Sequence, residues 1–180
     1  LLKVMEEPPE GVLFLLTADS LASVLPTIRS RCVSFAVAPV SPADCTRYCA
    51  AQGVDKKTAA LYSELFDGHI GTVLAVARDE ARAAQVEKAL ELARAAAARD
   101  SYTAAVLLAA YEKDKAAAAA LLTDFRAVAA AGLRSSPRAP VQGTQARQAV
   151  RLEDAALQRL GAQVNPKVVL SVFAAKLRTL

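Results

Sequence analysis

Arg31 is the residue whose type and setting most clearly predict chemistry. It lies between Ser30 and Cys32, after a helical stretch at 21–28 that is too short for more than a turn or two. Arginine carries a planar, permanently charged fork that matches two phosphate oxygens, and an adjacent subunit's arginine can stabilise phosphoryl transfer. The alternative is a surface arginine that pairs with a carboxylate. Residue type alone leaves both interpretations open.

An uninterrupted apolar run at 12–16 precedes this arginine. Because its residues do not alternate with polar ones, the run predicts a strand covered on both faces, as in a parallel sheet. Asp19 and Ser20 follow with side chains suited to turns and helix caps. A second apolar segment at 33–39 could form the last strand of the same sheet. The start of the chain is therefore expected to be α/β in character.

The order of these features resembles the bacterial clamp-loader subunits of DNA polymerase III, which are AAA+ proteins. Three stretches carry the resemblance: Leu-Leu-Lys-Val-Met-Glu-Glu-Pro-Pro at 1–9, the strand that ends at Thr17, and Thr-Ile-Arg-Ser-Arg-Cys at 27–32. The resemblance implies that the first stretch is a helix ended by Glu-Glu-Pro-Pro. It also implies that Arg31 is an arginine finger. The supporting motif residues are Thr27, Ser30 and Cys32, and the residues near the sensor 1 position are Thr17 and Asp19.

A phosphate loop of the form Gly-x-x-x-x-Gly-Lys-Ser/Thr is absent from the sequence, since lysine follows none of the seven glycines. We therefore expect the chain as given to bind no cofactor and to be non-catalytic alone, with ATP bound by a neighbouring subunit. The resemblance implies that a phosphate-loop region would precede Leu1. On this interpretation the chain is a C-terminal fragment.

The stretch at 68–74 indicates which clamp-loader subunit the chain resembles. Gamma/tau subunits, which hydrolyse ATP, usually show Gly-Ser-x-Arg-Asp-Ala-Leu there, and its arginine is sensor 2. Here Gly71 replaces that arginine and Thr72 replaces the aspartate, so a nucleotide bound in cis would lose its charge partner. This departure is similar to the delta prime subunit, which supplies a finger and is a poor or absent ATPase. His69 is interpreted as a residue at a helix start.

Helix caps and breakers divide the remaining sequence into two helical groups. Three short helices are predicted first, and longer Ala/Leu-rich helices follow. The predicted ranges are 41–52, 56–66, 71–77, 80–98, 100–112, 113–133, 144–163 and 166–180. The resemblance implies a mainly α protein with three parts: the C-terminal remnant of an α/β AAA+ ATPase domain at 1–39, a helical lid at 40–78 and a helical collar at 79–180.

Within the predicted helix at 113–133, a seam of five apolar residues has two interpretations. It could pack on helices of other subunits, or it could close the core of its own bundle. In the family the resemblance implies both, because the collar joins its counterparts in a pentamer. The seam residues are Ala118, Leu121, Leu122, Phe125 and Val128.

The three cysteines are odd in number, which is typical of a reducing compartment and predicts a cytoplasmic protein. Cys45 and Cys49 lie four apart on a predicted helix and are expected to be buried or half-buried thiols. A zinc site would need more ligands than these two and the distant His69, so no metal is expected. No continuous apolar stretch is expected to reach membrane-spanning length, which argues against a membrane partner.

The segment at 133–144 contains two prolines and no acid, and four arginines in and after it give a local charge of +4 before Glu153. It could contact DNA or a polymerase subunit, or it could be a solvated, mobile loop. The four arginines are Arg134, Arg138, Arg147 and Arg151.

The resemblance implies the function of a delta prime-like subunit. It would assemble with gamma/tau and delta subunits in a hetero-pentamer, and Arg31 would reach the ATP of a gamma/tau neighbour. Through the complex it would act on the sliding clamp and primed DNA. Two alternatives stay open: a gamma/tau-type subunit that hydrolyses ATP with a degenerate lid, and a helical adaptor with a relic ATPase domain.

Overall fold

The structure of the protein is a computed structural model that describes residues 2–7, 9–18 and 20–180. Within those residues it contains ten α-helices and no strand. The helices are α1 (Leu2–Glu6), α2 (Pro26–Arg29), α3 (Pro42–Ala51), α4 (Lys56–Leu65), α5 (Ile70–Arg78), α6 (Glu80–Ala97), α7 (Ser101–Ala109), α8 (Lys115–Leu133), α9 (Gly143–Gly161) and α10 (Pro166–Leu177). Contacts within the chain divide it into two compact units, Leu1–Ala38 and Pro39–Leu180.

The first unit holds α1, a single 3-10 turn at Leu21–Ser23, and α2. The hydroxyl of Ser20 accepts from the backbone N–H of Ser23 at 3.3 Å and so caps the turn. Pro26 is the first residue of α2. At this position a backbone N–H would have no partner within the helix, and the fixed φ of proline suits a helix. These local signals place the residues around Arg31 at the end of a short helix.

The two strands predicted at 12–16 and 33–39 were wrong, because neither segment forms a strand within the described residues. A strand exists only when a partner accepts and donates along its ladder. No backbone hydrogen bond joins 13–18 or 33–40 to any described residue. Most of their apolar side chains are also exposed, as the 85% exposure of Leu15 and the 96% exposure of Val37 show, although Phe14 is half-buried. The apolar pattern was real, but the pairing that it needs is missing.

Most helices of the second unit begin at a residue whose side chain accepts from the first free backbone N–H groups. Such caps satisfy donors that a helix cannot satisfy internally. The six capping residues are Ser41, Asp55, Asp79, Asp100, Asp114 and Asn165. Because Asp114 is the cap, α8 begins at Lys115 rather than at 113 as predicted.

Helix α8 is the centre of the second unit, where it packs against α4, α6 and α9. All five residues of the predicted seam are buried in this bundle, so they form its own core. Phe125 meets Phe173 of α10 edge-on, with ring centroids 5.5 Å apart. At the end of α8, a Cβ on Gly132 would lie 1.9 Å from the carbonyl oxygen of Val141. The chain that leads to α9 therefore passes α8 at a distance that only glycine permits.

By length and composition, α8 is the one helix among the described residues that could cross a membrane. Asp124 and Arg126 interrupt its apolar residues, so α8 contains no continuous apolar stretch of this length. Half of its apolar window is buried inside the bundle. Its Asp124 is also buried and paired with Arg82 of α6, as in a core helix that packs against charged neighbours.

Candidate functional site

Arg31 lies in the turn that follows α2. Its backbone N–H donates to the carbonyl of Ile28 at 3.0 Å, and that of Cys32 donates to the carbonyl of Arg29 at 3.4 Å. The helix thus tightens into i, i+3 turns before the chain leaves it. These hydrogen bonds fix the backbone conformation at Arg31, and with it the direction of the Cα–Cβ bond.

The guanidinium of Arg31 has three polar partners. Its Nη1 donates to the carbonyl oxygen of Thr27 at 2.7 Å and to the hydroxyl oxygen of Ser30 at 3.3 Å. Its Nη2 donates to Oε1 of Glu6, at the end of α1. The side chain of Arg31 is 34% exposed to solvent. The pairing with a carboxylate, one of the two interpretations of the sequence, is therefore present, and the side chain as a whole is only partly buried.

The motif residues near Arg31 lie close to it in the structure, and they differ in the contacts that they make. The hydroxyl of Ser30 donates to Thr27's carbonyl at 3.2 Å and accepts from Arg31. Thr27 contributes through that backbone oxygen. Cys32 is a free, half-buried thiol. Glu6 was missed by the residue-by-residue reasoning, although it lies in the Glu-Glu-Pro-Pro stretch that carries the resemblance.

Thr17, one of the two residues expected near sensor 1, is not brought into the Arg31 cluster. Thr17 is exposed, and it forms no hydrogen bond with any described residue. Asp19 lies outside the described residues. Their role stays a prediction.

The basic segment after α8 is tied to α4 by polar contacts. Arg138 Nε donates to Glu64 Oε1 at 3.1 Å, and the hydroxyl of Ser136 donates to the same carboxylate. Gln142 donates to the carbonyl oxygens of Ser136 and Ala139 at 2.7 and 2.9 Å. Polar contacts to a neighbouring helix therefore hold the segment in place.

The four arginines of this region separate into two kinds. Arg134 pairs with Asp67 and Arg138 with Glu64, so both charges are already matched. Arg147 and Arg151 lie one turn apart on α9 and are exposed. Of the four, these two are the ones placed to meet an anion such as a phosphate.

Two buried carboxylates in the second unit were also missed from the sequence. Asp124 accepts from both terminal nitrogens of Arg82 and from Gln85, and this hydrogen bonding raises the pKa of Arg82. Glu153 is fully buried, and neither of its carboxyl oxygens has a hydrogen-bond partner among the described residues. Burial raises the pKa of Glu153 to about 7. Its nearest cation, Arg126 Nη1, lies 3.8 Å away.

The cysteine pair of α3 is buried, as predicted. The Sγ atoms of Cys45 and Cys49 lie 4.0 Å apart. Burial, together with the neighbouring Cys45, raises the pKa of Cys49 to about 11. Since the thiolate is the reactive form, this thiol is inert at neutral pH. His69 directly precedes α5, and its Nδ1 lies 2.6 Å from the carbonyl oxygen of Phe66, in agreement with its interpretation as a helix-start residue.

Residues 1–41 match the family model described as DNA polymerase III, delta subunit. No curated protein and no solved structure matches the chain. The matched residues contain both Glu6 and the motif around Arg31. The predicted resemblance to a DNA polymerase III subunit, delta prime in type, is therefore confirmed over residues 1–41 of the chain.

Proposed function

We propose that this protein is a delta prime-like clamp-loader subunit of DNA polymerase III. It assembles with gamma/tau and delta subunits in the cytoplasm and supplies Arg31 in trans to ATP bound by a gamma/tau neighbour. The observation that carries the proposal is the family match over 1–41, which includes the arginine and its supporting residues.

The chemistry that Arg31 offers fits this role. Phosphoryl transfer needs little covalent help from a protein and depends on positioned positive charge. A guanidinium has five N–H donors, and three described acceptors hold Arg31 at Nη1 and Nη2. Because its side chain is one-third exposed, an incoming phosphate can reach the remaining donors. The finger would complete the neighbour's site and so couple hydrolysis to release of the sliding clamp on primed DNA.

We assign the helices of the second unit to the lid and the collar. In the proposal α3 to α5 form the lid and α6 to α10 form the collar that joins the other subunits. Within the second unit, Arg138 pairs with Glu64 of α4 and Arg134 with Asp67, two residues beyond α4, so the short helices are held against the end of α8. In the assembled loader the collar would fix the geometry of the subunits, since a finger displaced by about 1 Å loses much of its effect.

The test is the ATPase rate of a reconstituted loader with clamp and primed DNA. Full-length wild type is compared with Arg31→Ala and with the matched control Arg29→Ala. Arg29 is exposed and forms no ion pair with a described residue. We expect Arg31→Ala to lower the rate by at least about tenfold with the pentamer intact, and Arg29→Ala to leave it near wild type. Equal rates for the two variants would contradict the finger.

The helical adaptor is the second candidate, because the ion pair of Arg31 with Glu6 gives the arginine a structural role. On that interpretation the charge at Arg31 matters for the fold of the first unit only. Arg31→Ala would then lower the thermal stability of the protein without changing the ATPase rate of the assembled loader. The same set of variants therefore distinguishes the two functions.

A further inference from the structure

The contact between Glu6 and Arg31 connects distant parts of the first unit. Glu6 is the last residue of α1, and 25 positions separate it from Arg31. Every other side-chain hydrogen bond among the described residues of this unit spans four residues or fewer. Glu6 is thus the one described side chain that relates Arg31 to a part of the fold beyond its own helix.

The two sets of acceptors hold different nitrogens of the guanidinium. Thr27 and Ser30, both from the local turn, accept from Nη1, while Glu6 accepts from Nη2. A planar group held at two of its nitrogens by acceptors from separate elements has a defined orientation. Nε has no hydrogen-bond partner among the described residues. With Nη1 and Nη2 anchored, Nε–H and the second N–H of Nη2 are left for two oxygens of a ligand.

We propose that Glu6 is a positioning residue for Arg31, which orients the fork before the neighbour's nucleotide arrives. This inference rests on the proposed function of Arg31. Glu6 does not touch the nucleotide, and it acts only through the guanidinium. Its side chain is 48% exposed, so the ion pair is weak and does not compete strongly with a phosphate that binds two donors. Glu6 therefore sets the direction of Arg31 without neutralising it permanently.

The experiment uses the full loader with clamp and primed DNA, and the variant Glu6→Gln. Glu7→Gln is the matched control, since it removes the same charge from the next residue, which is exposed and forms no ion pair with a described residue. We expect Glu6→Gln to lower kcat by about fivefold, the change that corresponds to an exposed ion pair. The KM for ATP should stay unchanged, because the interaction belongs to the transition state. Glu7→Gln should match wild type.

The double variant Glu6→Gln/Arg31→Ala shows whether Glu6 acts through the arginine. We expect it to be no slower than Arg31→Ala alone, because a positioning residue has nothing to position once the finger is removed. Additive losses would overturn the inference. Circular dichroism and pentamer assembly, measured for every variant, separate these effects from loss of fold.

Three further results would overturn the inference in distinguishable ways. If Glu6→Gln behaves as Glu7→Gln while Arg31→Ala is slow, the finger stands and the positioning role fails. If Glu6→Gln is faster than wild type, the carboxylate restrains the arginine rather than orienting it for catalysis. If Arg31→Ala itself keeps the wild-type rate, the proposed function fails and the role of Glu6 fails with it.

Discussion

Arg134, at the end of α8, lies against the carboxyl end of α4, where it forms an ion pair with Asp67, with Nε 3.1 Å from Oδ1. The same guanidinium donates to the carbonyl oxygens of Glu64 and Leu65, each at 3.3 Å. These carbonyls belong to the last turn of α4, where a helix has unsatisfied acceptors and a partial negative charge. One arginine thus closes a helix and joins the short helices of the second unit to its central one.

Replacing Arg134 should therefore destabilise the second unit. We expect Arg134→Ala to lower the free energy of unfolding by about 1 kcal/mol, the usual value of a cation at a helix carboxyl end. Urea denaturation followed by circular dichroism measures this. Arg147→Ala is the matched control, because Arg147 is exposed and has no ion pair with a described residue. Equal midpoints for the two variants would show that the Arg134 contacts contribute nothing.

Glu153 should make the stability of the second unit depend on pH. Its pKa is raised from 4.5 to about 7 by burial, which outweighs the opposing effect of Arg126, and the neighbouring Asp154 raises it further. Between pH 4.5 and about pH 7, the carboxyl group of Glu153 is protonated in the native chain but ionised in the unfolded chain. The contribution of this group to stability is therefore greatest below pH 4.5 and falls as the pH rises to about 7.

The variant Glu153→Gln tests this by replacing the carboxyl with a neutral group of the same shape. At pH 8 we expect it to be more stable than wild type by on the order of 3 kcal/mol, the linkage value of the raised pKa. At pH 4.5 the two should be nearly equal. Thermal unfolding across this range measures the difference, with Glu80→Gln as the control, because Glu80 is exposed and forms no ion pair with a described residue. A difference independent of pH would mean that Glu153 is ionised in the native protein.

Gly132 should not tolerate a side chain. Its Cβ would lie 1.9 Å from the carbonyl oxygen of Val141 and 3.2 Å from the Cβ of Ala146, and neither backbone can move without disturbing α9. We expect Gly132→Ala to lower the free energy of unfolding by about 1–3 kcal/mol, the usual cost of overpacking.

Gly161→Ala is the natural comparison, because Gly161 also lies in a helix and a Cβ there meets no atom within 4 Å. That variant should be as stable as wild type or slightly more so, since alanine favours helices. Chemical denaturation of the two variants side by side measures the difference. Equal stability would show that the passage of the chain beside α8 is not fixed by Gly132.

The parts of the fold that were predicted from sequence are the ones that local chemistry determines. The helices predicted at 41–52, 56–66 and 166–180 begin within one residue of the predicted start, where Ser41, Asp55 and Asn165 cap them, because a cap needs only its own residue and the next few N–H groups. The strands at 12–16 and 33–39 failed because a strand requires a partner that local sequence does not supply. Helix content is local information, whereas pairing is not.

The same distinction between local and long-range contacts holds for the candidate site. Thr27, Ser30 and Arg31 contact one another because they are neighbours in sequence and meet within one turn. The contact with Glu6 spans 25 positions, so no periodicity or spacing within the motif could indicate it. Glu153 was missed for a related reason. A glutamate in a polar helix is usually solvated, and only the packing of α9 on α8 buries this one.

The backbone amides of the unpaired segments 13–18 and 33–40 can show whether the chain has assembled with a partner. Their backbone N–H groups bond to no described acceptor, so in the isolated protein they should exchange with deuterium at the rate of free peptide. Any sheet that pairs with them would slow that exchange at alternating positions along each segment. Amide exchange measured before and after mixing with a candidate partner would then identify which residues the partner covers, without a label or a mutation.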